Sequence, residues 1–222
     1  MRHYLLFFLL AVSSPLYSQN FRLNIGFSQN RYSSINNLKV PFNGISAGYS
    51  WYFYKKAGVY AGYSHYFPAT YYGIVKYWDM TYGTAPAYIT GGADDFKVGM
   101  RVKLLDPPSK KIEINATVAG SYLIHKGEYD KEPFLRHYEG FFLPDIKNKV
   151  TSLYSGAEVI FKVAGVPLFV SGGYNYAVGQ DIPYDDLDGY STPFSSSIEF
   201  KLGISLPVMK GPVPSRIKTI EY

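Results

Sequence analysis

The sequence predicts an all-β protein, an antiparallel up-and-down transmembrane β-barrel of about eight strands behind a cleaved signal peptide. Three observations predict it. The chain alternates apolar and polar residues in one run after another, most near the roughly 9–11 residues that a tilted membrane-crossing strand needs. Short and long connections between the runs follow each other in strict turn. Aromatic residues, 23 Tyr and 15 Phe among 222, gather at the ends of the apolar faces and in the long connections.

The elements follow in chain order. Met1-Arg2-His3 is a short basic start and Tyr4 to Val12 an apolar run too short to span a bilayer as a helix. Small residues up to Ser18 suit a cleavage site, so 1–18 reads as a signal peptide, 19–206 as the barrel and 207–222 as a C-terminal tail. The first run sets Phe21, Leu23, Ile25 and Phe27 against Arg22, Asn24, Gly26 and Ser28. Ile45, Ala47, Tyr49, Trp51 and Phe53 share the apolar face of the second, and Val59, Ala61, Tyr63 and Phe67 that of the third. The fourth carries Phe96, Val98, Met100, Val102 and Leu104, the fifth Ile112, Ile114, Ala116, Val118 and Tyr122. Leu153, Ala157, Val159, Phe161 and Val163 mark the sixth, and Leu168, Val170, Tyr174 and Tyr176 the seventh. The eighth alternates Ile198, Phe200, Leu202, Ile204 and Leu206 with Glu199, Lys201, Gly203 and Ser205.

Tyr54-Lys55-Lys56, Asp106 to Lys110 and Ala164-Gly165-Val166 are tight turns, whereas 28–43, 68–95, 125–150 and 178–195 are long. Two further strands within Ala69 to Gly91 would make the barrel ten-stranded. Loop parity gives each outward residue a height. Phe21, Trp51, Phe53 and Phe161 then form a girdle at the short-turn rim; Phe27, Phe67, Phe96, Tyr122, Tyr174 and Tyr176 form one at the other, with Tyr63 and Phe200 between.

A signal segment followed by runs such as Ser197-Ile198-Glu199-Phe200-Lys201-Leu202-Gly203-Ile204 resembles the small outer-membrane barrels of the OmpA-transmembrane and OmpX-like group. The resemblance is one of architecture across most of the mature chain. It implies a Gram-negative outer-membrane location, lipid as the surrounding partner, and a monomeric barrel or a subunit of a larger envelope or secretion assembly.

With apolar residues facing lipid, Arg22, Lys97, Arg101, Glu113, Glu158, Lys162, Glu199 and Lys201 point inward. Arg101, Glu113, Glu158, Glu199 and Lys201 are the expected lumen charge network, since opposite charges removed from water must pair. An eight-strand interior is just wide enough for side chains to fill, so no open pore is expected. The alternatives are a narrow channel for small solutes and a lipid-modifying enzyme using histidine at the rim. Of the candidates for the latter, His65 falls on the lipid face, His125 begins a loop and His137 lies within it. No histidine precedes a serine by two positions, as it does in the lipid-deacylase barrels, so no enzyme is predicted.

The chain has no cysteine, which excludes disulfide scaffolds, thiol nucleophiles and cysteine-held metal centres. The Asp181, Asp185, Asp186 and Asp188 group lacks the spacing of a calcium loop, so no metal and no cofactor are expected. A formal net charge of +5 is scattered through turns and lumen rather than striped, so no nucleic-acid partner is expected. Tyr77, Trp78, Arg136, Phe141 and Phe142 are the loop binding candidates for surface ligands or an envelope protein, because aromatics and arginine dominate binding hot spots.

Overall fold

The computed structural model describes residues 20–33, 40–53, 56–79, 81–105, 112–129, 146–181 and 196–209. They form one closed antiparallel barrel in which each strand pairs with its neighbours in chain order and β1 with β8. The strands are β1 (Asn20–Ser33), β2 (Val40–Tyr52), β3 (Ala57–Asp79), β4 (Thr81–Leu105), β5 (Ile112–Tyr129), β6 (Ile146–Val163), β7 (Val166–Asp181) and β8 (Ser196–Met209). Closure runs from Phe21↔Met209 to Ser33↔Ser196, so the last strand continues three residues past Leu206. The 1–18 segment and residues beyond Met209 lie outside the described residues.

Alternation explains why these residues form strands. On β4, Phe96, Val98, Met100, Val102 and Leu104 are exposed on the outer face, while Asp95, Lys97, Arg101 and Lys103 are buried inside. Leu, Val and Ile on the outside are stable only in an apolar solvent, and the lumen supplies the polar partners. The turn after β6 is the tightest of the described connections. Ala164 and Gly165 both take positive φ, 49° and 86°, the pairing of a type I′ hairpin that matches the twist of the flanking strands.

The strands run well beyond the expected ends. The stretch read as a long loop at 68–95 is a continuation of β3 and β4, paired from Ala69↔Gly91 to Asp79↔Thr81, so the barrel has eight strands and not ten. Val and aromatic residues in Tyr71 to Trp78 favour extended backbone whether or not lipid surrounds it. At the point where this ribbon leaves the barrel, Phe67 and Pro68 together oppose Gly92. That bulge accommodates a proline without a donor. It also shifts the inward parity of β3 from even residues, as at Tyr66, to odd ones, as at Tyr71, both buried.

Inside the barrel, two tyrosines lie across paired glycines. Tyr154 spreads over Gly156 and Gly173, where an added Cβ would stand 2.2 and 2.4 Å from its hydroxyl. Tyr60 covers Gly62 in the same way at 2.4 Å. Any side chain at these glycines would evict the rings that fill the middle of the lumen.

Candidate functional site

The lumen charges fall into three layers. Toward the long-connection end, Lys97 donates to Asp95 and to Glu199, the latter at 3.1 Å. Lys201 Nζ lies 3.1 Å from the same Glu199 Oε1, to which the Tyr66 hydroxyl donates at 2.7 Å. Ser121 donates to Asp95 at 2.6 Å. In the middle layer, Arg101 forks onto Glu158 at 3.0 and 3.3 Å and donates to Ser50 and Thr117 at 2.9 and 3.0 Å. Asn24 and Asn115 donate to the same carboxylate at 2.6 and 3.3 Å. At the short-turn end, Glu113 receives Arg22 at 2.7 Å, with Lys103 at 3.9 Å. Asn115 bridges the two lower layers by donating also to Glu113 at 2.9 Å.

Rings tie the layers together. Lys97 Nζ stands 5.1 Å from the Tyr154 ring and the Arg101 guanidinium 4.5 Å from that of Tyr60. Both are cation–π distances, attractive in a dry interior. Each buried acid therefore faces a base and further donors, the condition under which charge survives away from water.

Of the residues singled out in the sequence, Arg101 and Glu158 meet each other, Glu199 and Lys201 meet one layer away, and Glu113 stands apart with Arg22. Lys162, expected inside, is exposed beside the turn after β6. Asp95 was missed because it fell within the stretch read as a loop, although it shares the parity of Lys97 and Arg101. His125 does not begin a loop; it is a fully buried residue of β5.

His125 belongs to a second interior region of different chemistry. Tyr32, Phe42, Tyr66, Tyr71, Ile89, Ala93, Leu123 and Val150 form an apolar cluster above the charge layers. Phe42 stacks edge-on against Tyr32 at 5.6 Å, and its ring lies 6.2 Å from that of His125. At this level most outward residues are polar: Arg31, Asn43, Thr70, Thr90, Lys126 and Lys147 are exposed, with Phe67 and Val178 as exposed apolar exceptions. The barrel thus turns inside out along its own length. Where lipid lies outside, polar groups go in; where water lies outside, apolar groups go in.

The reversal marks the upper edge of the apolar band. Just below it Phe27, Phe67, Phe96, Tyr122, Tyr174 and Tyr176 are exposed outward, and Tyr63, read as mid-height, packs on Phe96 at 5.1 Å. At the opposite rim Phe21, Trp51 and Phe53 contact one another in sequence at 6.3 and 6.1 Å, with Phe161 half-buried on β6. The side chains of Tyr77 and Trp78, and the whole of Arg136, His137, Phe141 and Phe142, lie outside what the structure describes.

Among the described residues, side chains of the ion-paired layers and of the apolar cluster occupy the lumen at two heights. Two voids within it measure about 10 Å³ each, near the lower limit for a single water. Planar bilayers containing the purified chain are expected to stay electrically silent at high salt. Discrete conductance steps would contradict a filled lumen.

No family model matches the chain, and the search of curated proteins found no match. Solved structures do match. A major outer membrane protein from Thermus thermophilus aligns at a TM-score of 0.56 and 12% identity, covering 83% of this chain and 98% of that one. OprG of Pseudomonas aeruginosa aligns at 0.50 and 10% identity, covering 85% and 94%. Ail, the attachment invasion locus protein of Yersinia pestis, aligns at 0.49 and 10% identity, covering 86% of this chain and 100% of that one. At such identities the first two likenesses establish fold, and the fold is that of the small outer-membrane barrels.

Proposed function

We propose that this chain is a non-enzymatic outer-membrane protein of a Gram-negative cell, exported by the 1–18 signal, that acts through what rises above its lipid band. Its filled interior serves as scaffold. Its long-connection end faces outside the cell and binds a surface ligand or an envelope protein, Tyr77, Trp78, Arg136, Phe141 and Phe142 being the candidates for contact.

One observation carries this reading. Over residues 72–79 and 81–88 the ribbon of β3 and β4 pairs with no third strand among the described residues, because β2 leaves β3 at Tyr66 and β5 leaves β4 at Ile89. This two-stranded part extends roughly 26 Å at about 3.3 Å per residue. A two-stranded ribbon is marginal in water by itself. Its unpaired edges are the kind of backbone that another chain completes.

The test shortens the ribbon by replacing residues 72–88 with an Asn-Gly turn. The variant is expected to fold, shown by unchanged heat-dependent gel mobility, and to lose a stoichiometric envelope partner that co-purifies with the whole chain in detergent. Recovery of the same partner by both forms rejects the ribbon as the working surface.

A further inference from the structure

His125 is an ionisable group in a place built for hydrocarbon. It is fully buried, and its ring lies 5.9 Å from that of Tyr71 and 6.2 Å from that of Phe42. The ring crosses Gly91 and Gly127, which face each other on β4 and β5. An added Cβ would stand 2.5 Å from its Nε2 at Gly91 and 3.0 Å from its Cε1 at Gly127. Tyr154 and Tyr60 lie over glycines in the same manner lower in the lumen. At this rung the ring is instead one that takes up a proton in mild acid.

Nothing charged in the apolar cluster meets that proton. Its titratable members are Tyr32 of β1 and Tyr66 and Tyr71 of β3, phenols that carry no charge in acid. β2 contributes Phe42, and β6 contributes Val150 and the buried Asn148 opposite His125. Asp95 and Glu199 belong to the layer below, where Lys97 holds both. Asp94, Lys126, Glu128, Lys147 and Lys149 have the outward parity of their strands. The level lies beyond the upper aromatic row, and there desolvation pushes the His125 pKa down to about 4, against an ordinary value of about 6.5.

What the ring packs against is the foot of the β3–β4 ribbon. Tyr71 pairs with Ile89, and Ile89 is the last residue of β4 that β5 holds, so this rung is where the two-stranded part begins. Both residues are buried, and an added Cβ at Gly127 would meet His125 at 3.0 Å and Ile89 at 3.2 Å, which places the two side chains together over that glycine. We infer that His125 is an acid-sensitive catch on the foot of the ribbon. Neutral, it completes the packing that keeps Tyr71 and Ile89 in the cluster; protonated, it leaves for water and frees the rung. An opened state whose imidazole reaches water binds the proton more tightly than the packed state. It therefore gains as pH falls, by roughly a hundredfold between pH 7 and pH 4. Control of partner binding by acid rests on the ribbon being the partner surface, whereas the catch is a property of the chain alone.

The chain has two tryptophans, so Trp51→Phe leaves Trp78 on the ribbon as the single reporter. In phosphatidylcholine vesicles the fluorescence anisotropy of Trp78 is expected to fall as the pH is lowered from 7 to 4. His125→Phe, which keeps a ring in the cluster but takes no proton, should lose that transition, and His65→Gln should keep it. In the parent, with carbon-13 in its histidine rings, the His125 Cε1 resonance should titrate together with the Trp78 signal, and this measurement stands even where His125→Phe fails to insert. An acid transition that survives His125→Phe overturns the catch. So does a His125 ring that titrates while Trp78 is unmoved, or a parent whose Trp78 shows no transition. A chain that shows the transition but retains its envelope partner when residues 72–88 are replaced keeps the catch and rejects the ribbon as the binding surface.

Discussion

Replacing Glu158 with alanine is expected to lower barrel stability by about 3–5 kcal/mol, the cost of stranding a buried guanidinium. Arg101 is buried with its carboxylate partner at 3.0 Å, and Ser50 and Thr117 satisfy only part of its donor fork. Asn24 and Asn115 lose their acceptor at the same time. Urea unfolding in lipid, followed by gel mobility, measures the loss. A double variant, Arg101→Met/Glu158→Leu, should recover most of it, because removing both charges abolishes the desolvation cost along with the attraction. A single Glu158→Ala effect below about 1 kcal/mol would mean that water reaches this layer, since exposed pairs contribute no more than that.

Phe42→Ala is expected to cost a similar amount, about 3–5 kcal/mol, for a different reason. Phe42 is fully buried in the apolar cluster, against Tyr32, Tyr71 and His125. Truncation leaves a cavity that neighbours held on separate strands cannot collapse to fill. The two variants should separate in hydrogen exchange. Phe42→Ala should speed exchange at the upper ends of β1, β2 and β5 while the strand segments between the aromatic rows stay protected. Uniform acceleration along all strands would show that the cluster and the charge layers unfold as one unit.

Much of the fold is legible along the chain because a strand in a two-solvent environment writes its environment into every second residue. Ile198, Phe200, Leu202 and Ile204 against Glu199 and Lys201 admit few other readings. The inner parity of Arg101, Glu113, Glu158, Glu199 and Lys201 is legible in the same way. Which acid meets which base is not. Glu199 sits two residues from Lys201 but 102 from Lys97, and both reach the same oxygen at 3.1 Å. Partners across a lumen depend on register and shear, which no single strand records.

The apolar cluster was hidden for a related reason. Tyr32, Phe42, Leu123 and Val150 continue the inner parity of their strands, yet with apolar residues assigned to lipid they looked misplaced or loop-like. Tyr71 was further disguised by the bulge at Phe67 and Pro68, which moves the inward position by one residue.

The sequence by itself determined that alternate residues face two unlike media, where the short turns fall, and which side chains share a face. Those are local consequences of a two-residue period. Tertiary structure alone decided that β3 and β4 continue as one ribbon, that the charges divide into three layers, and that the inside changes from polar to apolar where lipid gives way to water. A strand's period says that its two faces differ, whereas which face is the dry one depends on what surrounds the barrel at that height.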